Sequence, residues 1–281
     1  MTTHVALIDA DVLLYRSCFA IESKVVTEDV IDGEVWTSTS IEVEPVENAI
    51  QIVKDTMEMI LFELNTNEYE MYLTGSDNFR KELATVKEYK GNRKNARKPI
   101  HLEALREHCV EHFGATVVNG QEADDALGIR LTELGEQGVV ASVDKDLWMV
   151  PGKHYDWTKG IKKITSDEWG WRYFYTQLLT GDATDNIPGC PGIGPKKAAK
   201  ALADVAECRQ MWTTTYDLYH QQMEKQAHRI VEDMVYKDGD VCYTHWKSGE
   251  DRVIPLREYI EEIANLLWIR RYPDQRWEIP A

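Results

Sequence analysis

Acidic side chains recur at one kind of position in this chain, just beyond short apolar runs that have the character of β-strands. Asp9 follows the run at residues 4–8, and Asp144 follows the run at 138–143. The carboxyl ends of parallel strands share one edge of a sheet, so these acids are expected to converge there. Two more acids come from the motif GDATDN in the following, mainly helical half. The full set is Asp9, Asp77, Glu122, Asp124, Asp125, Asp144, Asp146, Asp182 and Asp185.

So many carboxylates in one place repel one another and raise each other's pKa values, and a bound cation removes that cost. Mg²⁺ and Mn²⁺ prefer oxygen ligands, and two such ions about 3.5–4 Å apart are the usual arrangement for phosphodiester cleavage. Any one of these acids alone is better explained as a helix cap or a solvated surface group. Asp11 is the weakest candidate, because capping of the first helix explains it. The placement of the whole set after successive strands predicts a divalent-metal site.

A basic stretch follows Asp77. Eight lysines and arginines lie between residues 80 and 98, against two glutamates, in a chain whose net charge is −16. Such cations bind a phosphate backbone, and a nearby aromatic ring can stack on a base. A solvated charged loop explains the stretch equally well in isolation, but its position beside the acids favours phosphate binding. The candidate residues are Arg80, Lys81, Lys87, Tyr89, Lys90, Arg93 and Lys94.

A glycine-rich turn, NIPGCPGIGPKK at residues 186–197, leads into a sequence that favours a helix. Closely spaced glycines let backbone amides face a phosphate, and the helix N-terminus adds its positive dipole. Pro195 stands where a P-loop needs lysine, so the turn is not a P-loop. A hairpin between two helices that grips one DNA strand fits better, with Gly192, Gly194, Lys196 and Lys197 as contact residues.

The segment HCVEH at residues 108–112 matches the HxxEH pattern of inverted zinc proteases. No third ligand is apparent nearby in the sequence. A partly exposed structural helix explains the pattern better than a zinc site.

Strands alternate with helices over the first 175 residues, which predicts an α/β fold with a mostly parallel central sheet. Residues 25–44 alternate around Asp32 and Gly33, which indicates a hairpin. Strands are predicted near residues 4–8, 70–74, 115–118, 138–143 and 154–157, and helices over 46–64, 101–113 and 122–134.

The pattern changes near residue 175 and becomes mainly helical, apart from an excursion at 237–254. We therefore predict an α/β core over 1–175 and a mainly helical DNA-binding subdomain over 176–281. The latter contains a helix-hairpin-helix-type motif at about 181–202.

The composition is that of an ordinary globular protein, with 43% apolar and 28% charged residues over 281 positions. No apolar run approaches the roughly 20 residues that span a bilayer, and the N-terminus lacks the pattern of a signal peptide. Five cysteines form no CxxC pair, which indicates reduced thiols in the cytoplasm. An excess of 48 acidic over 32 basic residues argues against indiscriminate binding to nucleic acid, and favours a narrow basic path.

Together these motifs resemble the 5′-nuclease family, which includes flap endonucleases, the 5′-nuclease domains of bacterial DNA polymerase I and bacteriophage 5′→3′ exonucleases. The matching segments are VALIDADVLLYR, EYKGNRK, QEADD, SVDKD and GDATDNIPGCPGIGPKKA, in family order over residues 5–202. The short length and the YKGNRK segment look most like the phage exonucleases. The expected location is the cytoplasm, which for a phage-encoded chain is that of the host bacterium. Asp11 departs from the family pattern, and residues 25–44 and 203–281 carry no family role that we can assign.

The resemblance implies a PIN-like core whose metal site is formed by the nine acids named above, with Asp182 and Asp185 at a second ion. It implies that residues 78–100 form a helical arch over the active site. It also implies that Lys90, Arg93 and Arg80 contact the reacting phosphate. In the family, the element that matches the glycine turn grips duplex DNA and can bind K⁺ through backbone carbonyls.

The expected function is Mg²⁺-dependent cleavage, with Mn²⁺ as a substitute, of DNA that carries a 5′ end, flap or branch. The expected protein is a monomer that acts in replication or repair, and RNA–DNA hybrids are an open second substrate. One alternative is a PIN-type ribonuclease, against which the helix-hairpin argues. The other is a catalytically silent factor that binds branched DNA, against which the complete set of acids argues.

Overall fold

The computed structural model describes residues 4–31, 34–225 and 234–280. Within these ranges the strands are β1 (Val5–Asp9), β2 (Glu22–Ile31), β3 (Glu34–Val43), β4 (Glu68–Thr74), β5 (Thr116–Val118), β6 (Gly138–Ala141), β7 (Gly152–Asp156), β8 (Ile161–Thr165), β9 (Met234–Lys237), β10 (Asp240–Thr244) and β11 (Asp251–Pro255). The helices are α1 (Ala10–Ala20), α2 (Val46–Leu64), α3 (Phe79–Leu83), α4 (Leu102–Phe113), α5 (Ala123–Leu134), α6 (Asp167–Thr180), α7 (Pro195–Leu202), α8 (Cys208–Lys225) and α9 (Leu256–Leu267).

A six-stranded sheet with the order β5-β4-β1-β6-β7-β8 forms the centre of the fold. Every neighbouring pair is parallel except β7 and β8, which confirms the predicted mostly parallel α/β core. The predicted strands and helices of this core lie within two residues of the observed bounds. The antiparallel edge strand β8 was missed, because Lys162 and Lys163 break its apolar pattern in the way that edge strands often do.

Strand β1 lies at the point where the strand order reverses. The chain passes from β1 to β4 and β5 on one side, and later to β6 and β7 on the other. In open α/β sheets, ligands bind beyond the carboxyl ends of the strands at this switch point. The carboxyl ends of β1 and β6 therefore mark where the functional site is expected.

The side chains of β1 alternate between two buried cores, one on each face of the sheet. Ala6 and Ile8 pack with α1, α2 and α4, whereas Leu7 belongs to the core that holds Phe174 and Leu178 of α6. The predicted domain boundary at 175 falls inside α6, so the chain has no break there. The division into 1–175 and 176–281 stays a prediction.

The predicted hairpin at 25–44 is observed as the antiparallel pair β2–β3, in which Val25 pairs with Ser40 and Glu28 with Thr37. Its predicted turn residues, Asp32 and Gly33, lie outside the described residues.

The expected helical arch at residues 78–100 is wrong as a description of this structure. Only the five-residue α3 and a single 3-10 turn at Gly91–Arg93 are helical there. The segment also carries buried side chains, Val86 and Tyr89 among them, which tie it to the core. The Glu262 carboxylate of α9 accepts hydrogen bonds from the backbone of Thr85 and Val86. Residues 84–89 are therefore pinned against the C-terminal part of the chain.

The C-terminal part combines helices α6 to α9 with a three-stranded antiparallel sheet of order β11-β10-β9. This matches the predicted excursion near 237–254. Helices α6 and α7 are joined by residues 181–194, which include most of the glycine-rich turn, and a hydrogen-bonded pair links Asp182 and Ile187 there. None of the helices in the described ranges is long and apolar enough to cross a membrane.

The buried His154 of β7 makes the folded state sensitive to acid. Its Nε2 lies 2.9 Å from the carbonyl oxygen of Val150, and burial lowers its pKa to about 4. Between pH 6.5, the pKa of the unfolded chain, and about pH 4, only the unfolded chain takes up this proton. The free energy of unfolding therefore decreases as the pH is lowered through this range.

We expect the imidazole to cost about 2 kcal/mol of stability between pH 7 and pH 5, at about 1.36 kcal/mol per pKa unit. Urea unfolding of the wild type and of His154→Gln at both pH values measures the loss of unfolding free energy that is due to His154, because the other titrating groups are common to both proteins. An equal loss of stability in the two proteins would show that His154 does not contribute.

Candidate active site

Asp9 connects the carboxyl ends of β1 and β6 at the switch point. It ends β1 and caps α1, where its Oδ1 accepts a hydrogen bond from a backbone N–H, and its Oδ2 accepts one from the Ser142 hydroxyl after β6 at 2.6 Å. The first helix is therefore capped by Asp9. The explanation of Asp11 as the cap of this helix is wrong. Asp11 instead accepts hydrogen bonds from Arg106 at 3.0 Å and from the backbone of Thr74 at 2.9 Å.

Asp9, Asp124 and Asp144 come from three separate elements and lie close enough to influence one another's charge. Burial raises the pKa of Asp9 to about 7, and the charges of Asp11 and Asp144 add to the shift. Burial also raises the pKa of Asp124 well above its ordinary value, and Asp9, Asp144 and Glu122 raise it further. The predicted convergence of acids from the ends of β1 and β6 and from the start of α5 is therefore observed.

A second group of acids faces a narrow cavity of about 30 Å³, which Glu122, Asp124, Asp146, Asp182 and Asp185 help to line. Burial raises the pKa values of Asp146 and Asp185, and the charge of Asp182 contributes to both shifts. Asp124 belongs to both groups, and the charges of Asp182 and Asp185 act on Asp144. The acids after α6 are therefore close to those at the edge of the sheet.

Basic side chains from residues 90–93 close one side of the acidic pocket, as we call the combined set of Asp9, Glu122, Asp124, Asp144, Asp146, Asp182 and Asp185. The Lys90 ammonium donates a hydrogen bond to Glu122 at 2.6 Å and lies 3.7 Å from Asp185, while Arg93 donates to Asp185 at 2.5 Å. Burial alone would raise the pKa of Glu122, but Lys90 and Arg80 hold it below its ordinary value. Two cations of the chain thus neutralise part of the acidic pocket.

The backbone of Lys90 is held in an uncommon conformation, with φ of +56°. This left-handed region costs a non-glycine residue roughly 1–2 kcal/mol. The Lys90 backbone N–H donates to the carbonyl oxygen of Asp185 at 2.9 Å, and Asn92 and Arg93 donate to the carbonyl of Thr184. These bonds attach residues 90–93 to the acidic turn after α6 and fix Lys90 at the pocket.

Asp125 and Arg80, predicted as a metal ligand and a phosphate contact, instead form a buried ion pair. Arg80 donates to both carboxylate oxygens of Asp125, at 2.6 and 2.9 Å, and also to the carbonyl oxygens of Leu266 and Trp268. Asp125 is fully buried, and its carboxylate further accepts from the backbone N–H groups of Glu122 and Arg270. Both predictions are corrected, because the polar atoms of these side chains are occupied by the fold.

Two further candidates differ from their expected positions. Tyr89 is buried rather than exposed for stacking, and its hydroxyl lies 2.9 Å from Glu122 and 3.1 Å from Asp185. Asp77 is exposed and does not line the cavity formed by Glu122, Asp124, Asp146, Asp182 and Asp185. The structure therefore does not bring Asp77 into the acidic pocket.

The other predicted DNA contacts do not line the acidic cavity. Lys81, Lys94, Lys196 and Lys197 are exposed, and Lys87 is half-buried. Gly192 adopts a φ of +73°, which favours glycine, and Gly194 caps the N-terminus of α7. Their contact with DNA stays a prediction.

Sequence reasoning missed two residues that hold the acids in place. Ser142 stands two positions before Asp144 in SVDKD, so the motif itself contained a signal for it. Tyr173 donates a hydrogen bond to Asp146 at 2.6 Å from the middle of α6, where nothing in the local sequence marks it.

The acids are not arranged as a closed metal cage. In the part of the chain that the structure describes, no three His, Cys, Asp or Glu side chains form a set that could hold a metal ion as they stand. This also applies to His108 and His112, whose rings pack together 4.4 Å apart on α4. The oxygen-only donors of the acidic pocket nevertheless suit a hard divalent cation, and repulsion between neighbouring carboxylates adds to the rise that burial causes in the pKa values of Asp124 and Asp144.

A family model described as the N-terminal resolvase-like domain of 5′-3′ exonuclease matches residues 4–173. The chain belongs to this 5′-3′ exonuclease family. Among its relatives, DNA polymerase I of Rhizobium leguminosarum is 32% identical over 145 residues, which cover 46% of this chain but 14% of the polymerase. The flap endonuclease Xni of Shewanella piezotolerans is 25% identical over 169 residues, or 55% of this chain and 66% of that protein. The 5′-3′ exonuclease of Mycobacterium tuberculosis is 26% identical over 241 residues, or 72% of this chain and 71% of that protein.

Solved structures of the family share the fold. The flap endonuclease of bacteriophage T5 superposes with a TM-score of 0.54 at 18% identity, covering 79% of this chain and 84% of that one. Another structure of the T5 D15 protein gives a TM-score of 0.53 at 16% identity, with coverage of 78% and 85%.

Proposed function

We propose that this chain is a divalent-metal-dependent nuclease that hydrolyses DNA at 5′ ends, 5′ flaps or branches. The observation that carries the proposal is the acidic pocket at the switch point, where the carboxyl groups of Asp9, Asp124 and Asp144 converge beside the cations of Lys90 and Arg93. Relatives named as exonucleases and flap endonucleases support it. The T5 5′-exonuclease binds zinc ions, and the T5 flap endonuclease forms a complex with DNA and metal ions.

The donor set favours Mg²⁺, with Mn²⁺ as a substitute, because every ligand is a carboxylate oxygen. Asp9, Asp124, Asp144 and Glu122 would hold one ion, and Asp146, Asp182 and Asp185 a second. When bound, such a pair supplies Lewis-acid activation of a water molecule and stabilises the leaving oxygen.

The basic residues have a role that follows from their present partners. Lys90 and Arg93 now compensate the carboxylates of Glu122 and Asp185. Once those carboxylates ligate cations, the ammonium and guanidinium groups would pair instead with the oxygens of the scissile phosphate. There they would stabilise the charge that develops during cleavage.

The glycine turn before α7 would grip the duplex part of the substrate, with Lys196 and Lys197 on backbone phosphates and K⁺ as a candidate ion at its carbonyls. Monomeric action in replication or repair belongs to the same proposal. RNA–DNA hybrids are a second substrate to be tested.

The proposal is tested with one 5′-flap duplex and one 5′-recessed duplex, each labelled at the 3′ end of the strand to be cut. We expect cutting near the junction or progressively from the 5′ end with Mg²⁺, and none with a chelator. Tight binding without cutting in Mg²⁺ or Mn²⁺ would support the catalytically silent binding factor instead. Cleavage of RNA but not of DNA would support the ribonuclease.

Replacing Lys90 by Gln should lower the single-turnover cleavage rate by about 10²–10³-fold, the usual cost of one donor to developing charge. Lys98→Gln is the matched control, because Lys98 is an exposed lysine of the same segment. Cleavage by Lys90→Gln within threefold of the wild type would exclude Lys90 from the reaction.

A further inference from the structure

Three arginines crowd around one aromatic ring beside the acidic pocket. The guanidinium carbons of Arg80, Arg270 and Arg276 lie 4.6, 4.1 and 3.9 Å from the centroid of the Phe79 ring. We call this group the Phe79 cluster. Arg270 and Arg276 belong to the tail after α9, a region that carries no recognisable sequence motif.

Only one of the three cations is fully compensated. The Arg80 guanidinium is paired with Asp125. Arg270 is buried and donates to the Gln121 side chain at 3.2 Å, but its ion-pair partner Asp274 is 3.7 Å away and almost fully exposed. The buried Nε of Arg270 has no hydrogen-bond partner.

Arg276 is the least compensated of the three. Over residues 4–31, 34–225 and 234–280, no carboxylate oxygen lies within 4 Å of its guanidinium nitrogens, and its guanidinium lies over the Phe79 ring. Partial desolvation of the exposed Arg276 side chain lowers its pKa, and the like charges of Arg270 and Arg80 lower it further. An arginine stays protonated despite such a shift, so the repulsion persists until an anion approaches.

The Phe79 cluster adjoins an open cavity and the start of α5. Arg270 lines a cavity of about 430 Å³ together with Asn119, Gln121 and Asp274. Gln121 directly precedes Glu122, and Arg80 of the cluster lies 3.7 Å from the Glu122 carboxylate. A DNA strand that leaves the acidic pocket on this side would therefore contact the Phe79 cluster.

We propose that Arg270 and Arg276 form a second phosphate-binding position, which takes a backbone phosphate of the DNA strand next to the scissile one. A guanidinium offers two parallel N–H donors to a phosphate, and an anion there would relieve the repulsion within the cluster. Arg80 contributes charge but no free donor pair. This inference rests on the proposed function, because it requires DNA in the acidic pocket.

The test measures equilibrium binding of the 5′-flap duplex in chelator, where no cleavage occurs, over a series of salt concentrations. Arg276→Gln is the main variant, because Arg276 is exposed and its loss leaves the buried Arg80–Asp125 pair intact. We expect its affinity to fall about tenfold, and the slope of log K against log salt to become shallower by about 1, as for the loss of one phosphate contact. Arg257→Gln removes the same charge from the exposed first turn of α9 and should match the wild type in both quantities.

A wild type that binds and cleaves the duplex, beside an Arg276→Gln variant with unchanged affinity and slope, would overturn the second phosphate position alone. A wild type that neither binds nor cleaves would overturn the proposed function and this inference with it. Thermal denaturation with inorganic phosphate separates the two sources of the anion. Stabilisation of the wild type but not of Arg276→Gln by phosphate, with equal DNA affinities, would assign the site to a free anion instead.

Discussion

Asp124→Asn is expected to reduce Mg²⁺-dependent DNA cleavage by about 10³-fold or more while the chain stays folded. The amide cannot supply the negative charge that a divalent cation needs from the centre of the acidic pocket. The same change removes a carboxyl group whose ionisation is opposed by the charges of Asp9 and Asp144. Single-turnover cleavage of the 5′-flap duplex measures the first effect.

The same variant should be at least as stable as the wild type in chelator at neutral pH. The folded-state pKa of Asp124 lies above its unfolded value, so its contribution to stability is present at low pH and is lost as pH rises through the folded value. An asparagine does not undergo this loss. Asp217→Asn on the exposed face of α8 is the matched control and should change neither quantity. Near-wild-type turnover by Asp124→Asn would remove this carboxylate from the metal site.

Asp125→Asn, one position further along the chain, should act on the fold instead. It leaves Arg80 buried without its carboxylate partner and weakens the capping box at the start of α5. Breaking a buried, hydrogen-bonded ion pair in this way costs about 3–5 kcal/mol. Urea unfolding in chelator measures the loss, with Asp124→Asn as the control that changes the neighbouring carboxylate.

A loss below about 1 kcal/mol in Asp125→Asn, together with reduced metal binding, would return Asp125 to the metal site. The comparison is informative because the two aspartates are adjacent in QEADD, and the substitutions are chemically identical. Their opposite expected effects follow only from which side chain faces the pocket.

The sequence was sufficient to predict two of the acids that follow strands, but not that a third, Asp77, stays exposed. A parallel strand is recognisable from its apolar run, and the residue after it must lie at the common edge of the sheet, so Asp9 and Asp144 were correctly placed together. The same reasoning could not separate Asp124 from Asp125, because charge type alone does not reveal which carboxylate an arginine 45 residues away will occupy.

The absence of the predicted helical arch at residues 78–100 has a related cause. The charge pattern was visible in the sequence, but the contacts that hold the segment down come from Glu262, Trp246 and the turn after α6, which are distant along the chain. Tyr173, Arg270 and Arg276 were missed for the same reason. Each acquires its position from tertiary packing rather than from a local motif.

Metal binding by the acidic pocket is measured by titrating the full chain with Mn²⁺ in the absence of DNA, with the free ion followed by electron paramagnetic resonance. We expect the wild type to bind two ions, Asp124→Asn to bind at least one fewer, and Lys90→Gln to retain both. A wild type that binds no Mn²⁺, or an Asp124→Asn variant whose stoichiometry and affinity equal those of the wild type, would contradict a metal site at these acids.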